Sequence, residues 1–476
     1  MISRVNKSEL FASLPAPWPQ DLLPEIRAAV AASRRKLVVL DDDPTGTQTV
    51  YDLPVLTTWD VAALRAELAN DTPCFYILTN SRSLSTQDAY ALNLKIAHNL
   101  KAAAVEIGVD FSIVSRGDST LRGHFPGEPQ ALTEALGGFD AIIVIPYFEA
   151  GGRYTVGDVH YVAEGDTLVP AAETPFARDA AFGYRSSNLR EWVAEKFGGE
   201  ISAASVASIS INDLRIGGAK AVCEKLLQAG FGNICVVNAA CPRDLEVFVQ
   251  GLLAAEAEGR RFLFRTAASF VAARLGLAAR PLWQPNFDSI NWNADELIAA
   301  KRPGGLIIVG SHVSKTTAQL EALEKATQIV VWKLNAALLL NETDREQAIA
   351  DVVFKAEFAC RRGADVVIAT SRELIAGSDA TGSLEIGAKI SAALVEVVQR
   401  LKVRPRYLIA KGGITASDLA TRGLGVKRAM VLGQILPGVP VWELGTETKF
   451  PGLPYIVFPG NVGGRDALKE AVEKLK

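Results

Sequence analysis

Three consecutive aspartates, Asp41–Asp43, stand where a short apolar run ends. The run LVVL (37–40) is typical of a buried strand, and Pro44 and Gly46 indicate a turn directly after it. In open α/β sheets, ligands bind beyond the carboxyl ends of the strands. Because adjacent like charges repel, we interpret this cluster as a site for a metal, a cationic partner or proton transfer. The alternative is a solvated acidic turn in which an aspartate caps a helix.

Two other predicted strands end in segments rich in arginine and hydroxyl groups. They are SRGDSTLRGHFPGE (115–128) and TNSRSLST (79–86). Arginine can hold a carboxylate or a phosphate through two parallel hydrogen bonds. The pattern therefore predicts a small, anionic, hydroxylated ligand whose hydroxyls are contacted or deprotonated by carboxylates. The alternative is a salt-bridged loop in which the arginines of 115–128 pair with Asp118 or Glu128.

Four predicted strands in the second half of the chain end in small or glycine-rich turns. The turns are GSHVSKTT (310–317), TS (370–371), KGGITASD (411–418) and PGNVGGRD (459–466). Such turns let backbone amides and a helix N-terminus approach a phosphate closely, so several on one sheet edge predict a nucleotide or phosphate site. Neither the Walker A spacing nor GxGxxG is present, which argues against a P-loop and a nicotinamide site. Thr415 and Ser417 could equally be helix N-caps.

The order of the predicted elements indicates the fold class. Strand-like and helix-like runs alternate along most of the chain, and this pattern predicts βαβ units and parallel sheets. The alternation lapses between Leu275 and Pro303, the best candidate for a domain boundary. We therefore predict two α/β domains with mainly parallel sheets and an active site in the interdomain cleft. The predicted divisions are an N-terminal extension (1–35), a first domain (36–280), a linker region (281–303) and a second domain (304–476).

The composition excludes several classes of function. A net charge of −3 without a basic stripe argues against nucleic acid as a partner, and no apolar run approaches the ~20 residues that a membrane span needs. Five scattered cysteines without CxxC spacing and four dispersed histidines argue against a disulfide framework, a zinc site and a histidine-built metal centre. Prolines interrupt the first 35 residues, so no signal peptide is predicted. A reducing, cytoplasmic location is expected.

Together these motifs resemble those of the four-carbon acid sugar kinases, which phosphorylate threonate, erythronate or 3-oxo-tetronate with ATP. The markers, spread over nearly the whole chain after residue 35, are DDPTG (42–46), SR (81–82), DSTLRG (118–123), GS (310–311), GGIT (412–415), LPGVP (436–440) and PGNVG (459–463). The resemblance implies that the first domain binds the sugar acid and the second binds the nucleotide. It also implies ATP and Mg²⁺ as cofactors and phosphoryl transfer to the terminal hydroxyl of the acid.

The resemblance also implies roles for particular residues. Asp42 is the candidate base or hydroxyl-orienting group, and Asp118 is the second candidate. The residues expected to bind the sugar acid are Asp43, Arg82, Arg116, Gly117, Ser119 and Arg122. Those expected to line the ATP site are Ser311, Gly412, Gly413, Ile414, Thr415 and Gly460. The metal ligands are unknown at this point, although Asp43 is one candidate for contact with Mg²⁺.

The chain departs from the family pattern in both halves. Pro44 stands where leucine or phenylalanine usually precedes Thr-Gly, and Ser115 where a lysine is often found. Ile414 replaces the glutamate of GGET, and Phe458 and Pro459 replace the Lys-Ser of KSGNFG. Two alternatives therefore stay open: a non-catalytic, nucleotide-responsive sugar-acid binding protein, and an ATP-dependent carboxylate ligase. The identity of the acid and the oligomeric state, including a homo-oligomer, also stay open.

Overall fold

A computed structural model describes residues 3–228, 233–287, 302–326, 329–371 and 380–476. The chain divides into two compact units, Met1–Ala279 and Arg280–Lys476. Each unit is built from α-helices around mostly parallel strands, which confirms the predicted fold class. Residues 288–301 of the predicted linker lie outside the described residues.

The first unit begins with short elements and continues with alternating strands and helices. In chain order they are β1 (Val5–Asn6), α1 (Lys7–Ala12), α2 (Leu23–Ser33), β2 (Lys36–Asp41), β3 (Leu53–Leu56), α3 (Val61–Ala69), β4 (Cys74–Leu78), α4 (Thr86–Ile107), β5 (Phe111–Arg116), α5 (Gly127–Leu136), β6 (Ala141–Ile145), β7 (Arg153–Val156), β8 (Val159–Glu164), β9 (Thr167–Pro170), α6 (Leu189–Lys196), β10 (Ala207–Ile209), α7 (Gly218–Gln228), β11 (Asn233–Val237), α8 (Pro242–Ala257), β12 (Phe262–Thr266) and α9 (Ala268–Arg274).

Eight parallel strands of this unit lie in the order β10-β11-β6-β12-β5-β2-β4-β3. The central strand β2 is buried along its whole length, as its continuous apolar run predicts for a parallel strand covered on both faces. Its last residue, Asp41, is in register with Leu78 of β4 and Arg116 of β5. The carboxyl ends of these three neighbouring strands therefore lie side by side.

A small antiparallel sheet in the order β1-β9-β8-β7 belongs to the same unit. Its strands β7 and β8 form an antiparallel hairpin. The segment before residue 36 contributes β1 to this sheet, and α2 buries Ile26 and Val30 where it contacts α8 and α9. Thr155 of β7 also forms a bridge with Ala239 directly after β11, which joins the small sheet to the parallel one.

The second unit repeats the alternation with a different connectivity. Its elements are β13 (Leu306–Val309), α10 (Ser314–Ala326), β14 (Val330–Leu334), α11 (Glu342–Arg361), β15 (Val366–Thr370), α12 (Ala380–Arg400), β16 (Leu408–Lys411), α13 (Gly413–Asp418), β17 (Arg428–Leu436), β18 (Val439–Leu444), β19 (Pro454–Phe458) and α14 (Ala467–Lys474). The strand order is β17-β18-β19-β16-β13-β15-β14. The five strands from β19 to β14 are parallel, whereas β17, β18 and β19 pair antiparallel.

The LPGVP segment (436–440) is the turn between β17 and β18. Leu436 pairs with Val439, so Pro437 and Gly438 form a two-residue connection. Proline followed by glycine favours such a turn, because proline fixes the first φ and glycine tolerates the second. In the part of the chain that is described, no helix is both long enough and apolar enough to span a membrane.

Candidate functional sites

The structure brings the predicted residues of the first unit to one edge of its parallel strands. Asp42 and Asp43 follow β2, Arg82 follows β4, and Arg116 ends β5. The strands β4, β2 and β5 are direct neighbours, so these side chains meet although they are far apart in the sequence. Asp118 is in the loop after β5, and its negative charge helps to raise the pKa of Arg82.

Asp42 is held in a buried ion pair with Arg82. The Arg82 Nε and Nη2 atoms donate to Asp42 Oδ2 and Oδ1 at 3.0 and 2.5 Å, and only 2% of the Asp42 side chain is exposed. Arg116 Nη1 lies 3.3 Å from Asp41 Oδ1 and 3.6 Å from Asp42 Oδ1. A solvated acidic turn is therefore the wrong interpretation for Asp41 and Asp42, since both are buried against guanidinium groups.

The capping alternative applies to Asp43 alone. Its Oδ1 atom accepts a hydrogen bond of 2.9 Å from the backbone N–H of Thr45 and one of 2.5 Å from the Thr45 hydroxyl. Burial favours the neutral acid, but Arg82 and these hydrogen bonds outweigh it and hold the pKa of Asp43 below its ordinary value. Asp43 is thus an ionised residue that fixes the turn after β2.

The pKa of Asp41 is shifted in the opposite direction from that of Asp43. Burial raises its pKa to about 7, although Arg116 favours the charged form, and the neighbouring carboxylate Asp42 adds to the rise. The carboxyl group of Asp41 also lies directly under Gly46, where a Cβ would be 1.9 Å from Asp41 Oδ2. The Asp41 carboxyl group therefore occupies a buried space that only glycine at position 46 leaves open.

An ion pair within the loop of residues 117–123 stabilises its conformation. Arg122 Nε donates to Asp118 Oδ2 at 2.7 Å, and the Thr120 hydroxyl donates to the same oxygen. Burial would raise the pKa of Asp118, yet Arg82 and Arg122 hold it well below its usual range. The salt-bridged alternative is therefore correct for the pair Arg122–Asp118. Ser119 is buried within this loop.

Arg265 is a buried charged residue of this edge that sequence reasoning missed, and its partner is Glu128. Arg265 Nη1 lies 3.0 Å from Glu128 Oε2 and 3.2 Å from Ser115 Oγ, and its Nη2 donates to the backbone carbonyl of Arg122. Burial raises the pKa of Glu128, against the effect of Arg265. Gly117 passes so close that a Cβ there would be 2.1 Å from Arg265 Cζ. The available signal was an arginine inside the apolar strand FLFRT, because buried arginine is rare unless it is paired.

His160 of β8 forms a hydrogen bond with the same loop. Its Nε2 atom donates to the backbone carbonyl of Ser119 at 2.8 Å, so its Nδ1 atom accepts from the Thr155 hydroxyl at 3.0 Å. One neutral tautomer satisfies both hydrogen bonds. Burial lowers the pKa of His160 to about 4, which keeps the ring neutral at neutral pH.

In the second unit, the predicted nucleotide residues also meet at adjacent strand ends. Ser311 follows β13, Gly412 follows β16 and Gly460 follows β19, and these three strands are neighbours. The Thr316 hydroxyl lies 3.2 Å from both Ser311 Oγ and the carbonyl of Gly460. The three turns therefore form one continuous surface of backbone and hydroxyl groups.

The GGIT turn combines close packing with an exposed side chain. Thr415 is buried against Gly310, where a Cβ would lie 2.3 Å from the Thr415 hydroxyl oxygen. Gly413 begins the short helix α13, and Ile414 is 60% exposed. Thr415 thus helps to pack the turns together, while Ile414 presents an apolar side chain to solvent.

Lys411 is the charged residue of this second site that sequence reasoning missed. Its side chain is fully buried at the end of β16, and Nζ donates to the carbonyl of Pro459 at 2.6 Å. Burial lowers the pKa of Lys411 to about 7, and the charge of Lys315 adds to this effect. The available signal was a lysine that ends an apolar strand directly before two glycines.

Among the described residues, no group of three or more His, Cys, Asp or Glu side chains is placed to hold a metal ion. Asp43, the one candidate named from the sequence, directs its oxygens to Thr45 and Arg82. The described side chains thus do not form a metal centre of their own.

Comparisons with known proteins match both units. Residues 37–274 match a sequence family described as a sugar-binding N-terminal domain, and residues 306–468 match a nucleotide-binding C-terminal domain. A 3-oxo-tetronate kinase of Pseudomonas fluorescens is 27% identical over 463 residues, which cover 94% of this chain and 98% of that protein. A D-erythronate kinase of Heliobacterium modesticaldum is 24% identical over 92% of this chain and 97% of its own length.

A solved structure shares the fold. It is a Haemophilus influenzae protein from a domain family of unknown function, and it aligns with a TM-score of 0.61 over 92% of this chain and all of that chain. The sequence identity is 19%, so the likeness concerns the fold alone.

Gly117→Ala tests how tightly the 117–123 loop is packed. The added Cβ must displace the Arg265 guanidinium, so we expect a loss of about 1–3 kcal/mol in the free energy of unfolding. The matched control is Gly127→Ala, because its nearest neighbour would be Tyr90 Cδ2 at 4.0 Å. Thermal unfolding of both variants checks this; equal melting temperatures would contradict the packing.

His160 predicts a pH dependence of stability. Its folded pKa of about 4 lies below the value near 6.5 of the unfolded chain, so the unfolded state binds more protons between these values. Stability is therefore lost as the pH falls through this window, by at most about 3 kcal/mol. We expect His160→Gln to show a smaller drop in melting temperature between about pH 7 and about pH 5 than the wild type. His98→Gln, at an exposed position, should keep the wild-type drop.

Proposed function

Because the chain belongs to the four-carbon acid sugar kinase family, we propose that it transfers the γ-phosphoryl group of ATP to the terminal hydroxyl of a four-carbon sugar acid. The two domain matches span most of the chain, and the relatives that align over nearly their whole length are named as kinases of such acids. Those relatives differ in the acid they are named for, so the particular acid of this chain is left to experiment.

The buried cluster of Asp42 with Arg82 and Arg116 carries the proposal. Phosphoryl transfer requires little covalent chemistry from the protein and depends on positioning and on neutralising charge. A carboxylate that two guanidinium groups contact at a strand end can accept a hydrogen bond from a substrate hydroxyl and orient it for attack. We propose this role for Asp42, with Asp118 as the second candidate.

The turns of the second unit support ATP as the phosphoryl donor. Ser311, Gly412 and Gly460 present backbone and hydroxyl groups on neighbouring strand ends, a chemistry that suits phosphate oxygens. The side chains of Lys411 and Lys315 lie near these turns, where each donates to a backbone carbonyl of residues 459–461. We propose that Gly413, Ile414 and Thr415 complete this site, as the family resemblance implies.

Mg²⁺ is proposed as the partner of ATP rather than as the occupant of a protein site. The described side chains form no metal centre, and ATP phosphates themselves bind Mg²⁺ through oxygen atoms. The described residues therefore name no protein ligand for the ion. The cytoplasmic location, the interdomain position of the active site and a homo-oligomeric state likewise stay predictions of the sequence.

Turnover on a panel of acids tests the function. With Mg²⁺ and ATP, we expect ADP release and a product heavier by one phosphoryl group on one of the D- and L-threonates, D- and L-erythronates or 3-oxo-tetronates. Release of AMP would identify the carboxylate ligase instead. Binding of both an acid and ATP without turnover would identify the non-catalytic binding protein.

Asp42→Asn tests the proposed orienting residue. We expect kcat to fall by at least about 100-fold, the low end for losing a general base, while the KM for ATP changes little. Asp166→Asn is the control, because Asp166 is an exposed aspartate of the same unit. Unchanged turnover in Asp42→Asn would remove this residue from the mechanism and leave Asp118 as the candidate.

A further inference from the structure

The three arginines expected to hold the carboxylate of the acid already have acidic partners within the chain. Arg82 forms two hydrogen bonds with Asp42, Arg116 pairs with Asp41, and Arg122 pairs with Asp118. A ligand carboxylate would have to compete with these buried or partly buried aspartates. Removing the partner of a buried charge is strongly destabilising, so such an exchange is unfavourable.

A fourth arginine of the same unit, Arg153, lacks such a partner. It is the first residue of β7, and its backbone N–H donates to the carbonyl of Phe148 at 2.9 Å, which anchors the strand. Within the part of the chain that the structure describes, no carboxylate lies within ion-pair distance of its guanidinium. Its Nε–H is buried and has no hydrogen-bond partner there.

The position of Arg153 links it to the loop of residues 117–123. Its guanidinium carbon lies 5.7 Å from the centre of the Phe176 ring, and that of Arg122 lies 5.1 Å from the same centre. The charge of Asp118 acts on both Arg153 and Arg82, so the three side chains belong to one neighbourhood. A small ligand that reaches Asp118 is therefore within the electrostatic reach of Arg153.

The surroundings of Arg153 favour the arrival of an anion. Burial lowers the pKa of Arg153; the charge of Asp118 opposes this change, and the positive charge of Arg122 adds to it. An unpaired, partly buried cation with an unused N–H donor is costly, and a bound carboxylate would relieve this cost through charge-assisted hydrogen bonds. The guanidinium is also already oriented against an aromatic ring, which reduces the freedom lost on binding.

We propose that Arg153, placed over Phe176, forms the subsite that recognises the carboxylate group of the sugar acid. The inference rests on the proposed function and refines it: Arg82 and Arg116 position the aspartates, and Arg153 selects an acid over a neutral polyol. The hairpin β7–β8 is then part of the substrate site, although none of the sequence markers lies in it.

The test compares Arg153→Gln, Arg153→Lys and the wild type, with Arg185→Gln as the control. The Arg185 side chain is 93% exposed, and Arg185 lies nine residues after Phe176 in the chain. For Arg153→Gln we expect the KM for the acid to rise about 10- to 100-fold, the range for losing a hydrogen bond to a charged group, with the KM for ATP unchanged. Arg153→Lys should recover part of the loss, and Arg185→Gln should behave as the wild type.

A neutral substrate separates recognition from general damage. The preference of the wild type for the acid over the corresponding four-carbon polyol should collapse in Arg153→Gln, since the polyol has no carboxylate to lose. If Arg153→Gln does not fold, Arg153→Lys decides: a raised KM at an unchanged melting temperature supports the subsite. A wild-type KM for the acid in a folded Arg153 variant overturns it.

The two proposals fail in different ways. If the wild type turns over an acid and Arg153→Gln keeps the wild-type KM, only the carboxylate subsite is wrong. If the wild type binds an acid without turnover, calorimetric binding to the same variants still tests the subsite. If the wild type neither binds nor phosphorylates any acid of the panel, the proposed function and the subsite fall together.

Discussion

The buried pairing of carboxylates with guanidinium groups is the constraint on which the first unit depends. Asp41, Asp42 and Glu128 are almost fully buried, and each faces an arginine at or near the carboxyl end of a strand. Leaving one such charge without its partner costs about 3–5 kcal/mol, so the strands must keep the register that brings the partners together. The strand register that brings the partners together is therefore also what determines the electrostatics of the site.

The same constraint explains two glycines: Gly46, which ends the marker DDPTG, and Gly117, which directly precedes DSTLRG. In DDPTG the backbone at Gly46 passes over the Asp41 carboxyl group, and in the loop after β5 the backbone at Gly117 passes over the Arg265 guanidinium. Any Cβ at either position would occupy the space of a paired side chain. These glycines let the backbone pack closely against charged side chains, and they do not by themselves indicate a phosphate site.

The sequence predicts the strands that carry the site well, because β2, β4, β5, β13, β16 and β19 are continuous apolar runs between turn signals. It also places the aspartates and arginines at strand ends. It does not predict which carboxylate meets which arginine, because pairing depends on strand order: β12 lies next to β5 although about 150 residues separate Ser115 from Arg265. Arg265, Lys411 and Arg153 are single charges within apolar or irregular segments, and no local spacing marks them.

In the second unit, Lys411 contacts both residues that depart from the family's KSGNFG pattern. Phe458 stands where the pattern has lysine, and in the register of β16 and β19 it lies directly opposite Lys411. The Lys411 ammonium group lies 4.0 Å from the centre of the Phe458 ring and donates to the carbonyl of Pro459, the other departing residue. An aromatic face and a carbonyl both stabilise a buried cation. Lys411 therefore places its amino group beside the 459–463 turn, in contact with both departing residues.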